Sequence, residues 1–201
     1  SIRRLVGFYA DLNLSYKDFL FLQGTLRHDS SSTLPLNNYS YFYPSISGSF
    51  VFSELLKNTG IGDFLSYGKL RSSFAQVGSD TNPYQLLTTY GSTTVNGSFG
   101  STKFPFGNVS ALQVGGVLGN ATLKPEQTRS FEIGTELAFL QSRLSIDFSY
   151  YVNDSKNQIL SIPIPNSTGY GFNTINAGEI QNKGIELSLR GTPIKTSNFS
   201  W

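Results

Sequence analysis

Across 201 residues there is no cysteine and no methionine, one histidine and one tryptophan. Without cysteine there is neither a disulfide framework nor a thiolate metal site. Charged residues make up only 14% of the chain, against about a quarter in an ordinary globular protein. The formal net charge is +2, and the lysines and arginines are dispersed, so nucleic acid is excluded as a partner. No apolar run approaches the ~18 residues of a transmembrane helix, and no secretory leader opens the chain. With no Met even at position 1, the chain reads as an internal piece of something longer. It begins near or within one strand and ends at Trp201 as another starts.

Aromatics reach 14%, and Gly, Ser, Thr and Asn fill much of the rest. The stretch "RSFEIGTELAFLQSRLSIDFSYYVND" shows how they are arranged. Phe131, Ile133, Leu137 and Phe139, with Thr135 among them, alternate with Ser130, Glu132, Gly134 and Glu136. After "LQSR", Leu144, Ile146, Phe148, Tyr150 and Val152 alternate with Ser145, Asp147, Ser149, Tyr151 and Asn153. This is a hairpin of two long strands. The same period marks "LVGFYADLNLSY", residues 19–28, residues 40–53, "YGKLRSSFAQVG" and "EIQNKGIELSLR", and a last strand starts at Phe199. Residues 79–123 show no strand pattern, and the segment around "IPIPNSTGYGFNTINAG" reads as a loop.

Alternation alone does not say whether the apolar face looks into a core or out to lipid. The connections do. They run short, long, medium, very long, short, long, short, as expected of an up-and-down barrel with brief periplasmic turns and extended outer loops. A Greek-key sandwich has no reason to alternate in this way. Strands of about 10–14 residues also exceed the ~5–6 of globular sheets. Tyr16, Phe19, Phe52, Phe64, Tyr67, Phe139, Phe199 and Trp201 fall near the periplasmic ends, as an interfacial girdle would place them, with Tyr39, Tyr41 and Tyr43 assigned to the outer girdle. Asp11, Arg27, Glu132, Glu136, Asp147, Glu186 and Arg190 share the polar registers. Turning an arginine to lipid at mid-depth costs about 2–4 kcal/mol, so the polar face is expected to line the lumen and the apolar face to meet lipid.

The segments "NYSYFYPSISGSFVFSE", "LSYGKLRSSFAQVGSDTNPY", "LGNATLKPEQTRSFEIGTEL" and "INAGEIQNKGIELSLRGTPI" resemble, in order and spacing, the C-terminal barrel of SusC/RagA-like TonB-linked outer-membrane receptors. The resemblance implies a barrel of about 22 strands filled by an N-terminal plug, in the bacterial outer membrane. It also implies a SusD/RagB-like surface lipoprotein as partner, contact with the TonB complex through the plug region, and oligosaccharides or peptides as cargo. Against that pattern the segment is expected to lack the plug and the C-terminal end of the barrel.

Motifs for other chemistry are weak. His28, Asp29 and Ser30 invite a nucleophilic triad, but consecutive strand residues point to opposite faces, and a triad needs convergence. Glu132 and Glu136, four apart on a strand, lie about 13 Å from one another, beyond the ~5–9.5 Å of glycosidase carboxyl pairs. "GSDTNPYQ" lacks the spacing of a calcium loop, and Gly115, Gly116 and Gly119 are followed by no Lys-Ser/Thr for a phosphate. Asn96 and Asn108 sit in Asn-x-Ser/Thr triplets that carry no meaning in a bacterium. No catalytic residue, cofactor or metal is expected. The long loop is the best candidate for function, since Tyr84, Tyr90, Phe99, Phe104 and Phe106 suit stacking on a sugar ring or packing on a partner. The expected fold is all-β: an incomplete, antiparallel up-and-down transmembrane barrel of about eight strands, residues 1–201 forming part of one barrel domain. Alone, such a segment is expected to form a curved open sheet. The alternative is a soluble β-sandwich module that binds carbohydrate.

Overall fold

The computed structural model describes all residues except Ser1, Asn58, Asp63, Lys195, Ser197, Asn198 and Ser200. Seven long strands form one antiparallel sheet in chain order: β1 (Leu5–Tyr16), β2 (Leu20–Ser31), β3 (Ser40–Phe50), β4 (Leu65–Ser79), β5 (Glu126–Phe139), β6 (Leu144–Lys156) and β7 (Glu179–Gly191). Each neighbour in space is the neighbour in sequence, which is the up-and-down meander. The last strand expected from Phe199 is not formed among the described residues, where Ile194 and Trp201 instead exchange backbone hydrogen bonds of 3.2 and 2.8 Å. Among the described residues no helix is long and apolar enough to cross a membrane.

The links between strands are 17–19, 32–39, 51–64, 80–125, 140–143 and 157–178. Within each successive pair the first is the shorter, as expected, although 51–64 exceeds 32–39. Two boundaries account for this. β2 runs on to Ser31, shortening the loop after it, and β3 stops at Phe50, where residues Ser53–Leu56 close a short helical turn. Pro44 lies within β3. The ladder to β4 begins only at Ser45, so β3 and β4 part above the proline, which has no N–H to donate.

The two faces of the sheet are unlike. One row across all seven strands reads Leu14, Leu22, Gly48, Ser72, Ile133, Tyr150, Ile185. The adjacent row, on the other face, reads Asn13, Gln23, Ser47, Ser73, Glu132, Tyr151, Gly184. Phe8, Leu12, Ile46, Leu70, Ile133, Ile185, Leu187 and Leu189 are exposed, while Ser149, Ala138 and Gly134 on the polar face are buried. Side chains splay on a convex surface and crowd on a concave one, so the polar face is the concave side. No second layer covers the apolar face among the described residues. A sandwich would have buried it, and the sandwich alternative fails on this point.

Tyr16, Phe19, Phe50 and Phe52 form an edge-to-face and tilted chain with centroids 5.5–6.5 Å apart, and Phe64 meets Phe139 at 5.3 Å. All lie at the short-link end, with Phe52 seated on Gly68, as an interfacial girdle requires. Two aromatic assignments are corrected. Tyr67 shares the register of Lys69 and Arg71 and turns to the polar face. Tyr41 and Tyr43 share the register of Asp29 and Arg27, as does Tyr39 by alternation, so these tyrosines do not build an outer lipid-facing girdle. Tyr41 instead packs against Gly78 where β3 and β4 part, and joins Leu34 and Leu123 in a buried hydrophobic cluster.

Candidate functional site

On the polar face the register brings all seven expected charges to one side: Asp11, Arg27, Glu132, Glu136, Asp147, Glu186 and Arg190. Sequence parity predicted that much. It did not predict that Arg71, on the same face, organises the centre. Its guanidinium lies 2.8 Å from Asp147 and 3.5 Å from Glu132. It lies flat because Gly134 is beneath it: a Cβ there would meet Arg71 Nε at 2.9 Å and the Phe148 carbonyl at 2.8 Å. Glu136 stands opposite both Lys69 and Asp147 in the ladders, and Asp11 accepts from Gln23 at 2.8 Å.

At the long-loop end, Asp29 is 3% exposed and accepts from Arg27 Nε at 3.0 Å and from the Tyr43 hydroxyl. Asp80, just past β4, accepts from Arg3 Nε and Thr33 Oγ1, each at 3.0 Å, and from Ser31. These bonds tie the residues just before β1 and the end of β2 to the end of β4. His28 pairs with Phe8 and Phe42 on the apolar face, whereas Asp29 faces the other way. The three residues of the "RHDS" stretch therefore do not converge. No group of three or more metal-ligating side chains gathers among the described residues.

The outer loops depart from expectation. Residues 80–125 contain paired short strands: Tyr90–Ser92 with Leu112–Val114, and Thr94–Gly97 with Gly100–Lys103. Residues 157–178 fold as a hairpin, Ile159–Pro163 with Phe172–Asn176, and this hairpin takes Val117–Leu118 as a parallel edge. Segments of three to five residues are too short to show a period, so the sequence reads as loop. Asn176 joins the two loops, donating to the Lys124 and Asn157 carbonyls at 2.8 and 2.9 Å and accepting from the Lys124 N–H at 2.8 Å. Asn38 reaches the Leu123 carbonyl at 3.1 Å, and Thr174 donates to Gln85 at 3.0 Å. Three loops thus interlock over Leu123, which is fully buried.

Of the aromatic candidates on the long loop, Tyr84, Tyr90, Phe99 and Phe106 are exposed and Phe104 is half-buried. Phe99 stands at the tip of the Thr94–Lys103 hairpin. Val95, Val109 and Leu112 on the same loop are also exposed. None of the five aromatics folds the loop onto itself by an aromatic pair among the described residues.

A family model described as TonB dependent receptor-like, beta-barrel, matches residues 2–201. TonB-dependent receptor P26 of Formosa agariphila is 31% identical over 98% of this chain and 19% of its own length. TonB-dependent receptor SusC of Bacteroides thetaiotaomicron is 27% identical over 98% and 19%. Among solved structures, the RagAB peptide transporter superposes with a TM-score of 0.82 at 22% identity, over 97% of this chain and 20% of that one. The chain spans about a fifth of the length of the relatives it matches.

Proposed function

Because the chain belongs to the TonB dependent receptor-like β-barrel family, whose members are outer-membrane barrels, we propose that it forms part of the wall of a larger barrel that imports nutrient across a bacterial outer membrane. In this reading the concave polar face lines the lumen and the convex apolar face meets lipid. The seven-stranded sheet leaves β1 and β7 each paired on one side only among the described residues, and a barrel closes such edges. A SusD/RagB-like surface lipoprotein is the proposed partner, and the interlocked loops with Tyr84, Tyr90, Phe99, Phe104 and Phe106 are its proposed docking or cargo-contact surface. Energy would arrive from the TonB complex through a plug region. Oligosaccharides or peptides are the proposed cargo, peptides being supported by the likeness to RagAB.

The observation that carries this reading is the pair of opposed faces, apolar outside and charged inside, on a single sheet. Cysteine scanning in the full-length receptor tests it. Phe148→Cys, Ile146→Cys and Leu187→Cys are expected to react with bilayer-confined probes, and Asp147→Cys and Glu186→Cys with water-soluble maleimides. The reverse pattern would overturn the assignment of faces.

A further inference from the structure

On the concave face, β5, β6 and β7, with Ser73 of β4, line a depression of about 310 Å³. Glu132, Tyr151, Asn153 and Glu186 form its walls, with Ser149 among the residues that line it. Every charged side chain lining it is a carboxylate. Arg71 stands outside and lies closer to Asp147 than to Glu132, and Glu186 has no ion pair among the described residues. Ser149 is 5% exposed, yet its hydroxyl lines the depression without a hydrogen-bond partner among the described residues. The Tyr151 ring lies over Gly184, where a Cβ would meet the Tyr151 hydroxyl at 2.7 Å, and so extends from β6 toward β7.

Two carboxylates, an unpaired hydroxyl, an amide oxygen and an aromatic ring describe a host for a cation. Glu132 and Glu186 come from strands on either side of β6, with Ser149 and Tyr151 between them. Acceptors arriving from several directions suit the three diverging N–H donors of an ammonium better than the flat fork of a guanidinium. We propose that this depression binds a primary ammonium group, carried by a lysine side chain or a peptide amino terminus. The inference rests on the reading of this face as the aqueous lumen. The amine belongs either to a cargo peptide or to another segment of the receptor.

Zero-length coupling with a carbodiimide in the full-length receptor, with and without trilysine, distinguishes the two. An amide from Glu132 or Glu186 to trilysine, found by mass spectrometry, identifies cargo, and an amide to a lysine of the receptor identifies an internal occupant. Where trilysine is the occupant, Glu186→Gln is expected to weaken its binding about 10-fold, as loss of one charge-assisted bond would. Absence of any amide at either carboxylate overturns the site, as does equal binding of trilysine and its fully acetylated form. Reaction of Glu186→Cys with a water-soluble maleimide decides separately whether the face is aqueous.

Discussion

Phe148→Arg is the most direct probe of how this sheet sits in a bilayer. On β6 the apolar register runs from Leu144 to Val152, and Phe148 is its middle residue. Eight residues of strand at about 3.4 Å rise, tilted by roughly 35°, span about 22 Å of depth, close to the ~25 Å of an outer-membrane apolar band. Phe148 therefore falls near mid-depth, and Val152 lies about 11 Å above it. An arginine at mid-depth costs about 2–4 kcal/mol and one near the interface about 0–1 kcal/mol. Phe148→Arg is thus expected to cost roughly 2–3 kcal/mol more than Val152→Arg, a ratio of about 30- to 150-fold in the assembled fraction. Refolding of the full-length barrel into lipid vesicles across a urea series, read by the heat-modifiable shift on a gel, measures both. Equal penalties at the two positions would refute the depth assignment, and no penalty at Phe148 would refute the lipid-facing surface itself.

Arg71→Met leaves Glu132 and Asp147 without their shared cation; for these half-exposed groups a loss of about 1 kcal/mol is expected, and adding Asp147→Asn should restore part of it in a double-mutant cycle of urea midpoints. Asn176→Ala removes two bonds between the long loops and one within 157–178, and is expected to speed protease cleavage within 80–125 severalfold while leaving the barrel's urea midpoint unchanged. A lowered midpoint with unchanged cleavage would show that the loops are held by something else.

The long strands were legible because each repeats its period five or six times, and one buried or lipid-facing register fixes all its neighbours. Every expected polar-face charge followed from parity alone. Tyr39, Tyr41 and Tyr43 fall to the polar face by that same parity, since the odd-numbered residues of β3 include Ser45, Ser47 and Ser49, and their aromatic character alone points the other way. Arg71 shares the polar register of Ser73 on β4. Its reach to Asp147 depends on the missing side chain at Gly134, a contact between strands that no local pattern encodes. The outer loops were illegible for another reason. The short strands within 80–125 are almost entirely exposed, and the order of the loops comes from single polar residues such as Asn176 and Asn38 whose partners lie far away in sequence.

The apolar register does not stay level across the sheet. On β1 it runs from Val6 to Tyr16, centred on residue 11, whereas on β7 it runs from Ile185 to Leu189, centred on Leu187, whose row leads back to Tyr16. The centre drifts by about five residues, ~17 Å, over six steps of ~4.8 Å, an inclination of roughly 30°, near the ~35–45° of membrane barrels. If lipid holds the apolar register level, each hydrogen-bonded row must climb. The row Asn13, Gln23, Ser47, Ser73, Glu132, Tyr151, Gly184 starts just on the short-link side of mid-depth and ends well toward the outer loops, a rise of about 15 Å. In the proposed barrel it is a spiral ramp of hydroxyls and amides along the inner wall. A polar chain entering from outside would meet Tyr151 and Glu132 at the top, and could descend by exchanging one hydrogen bond at a time.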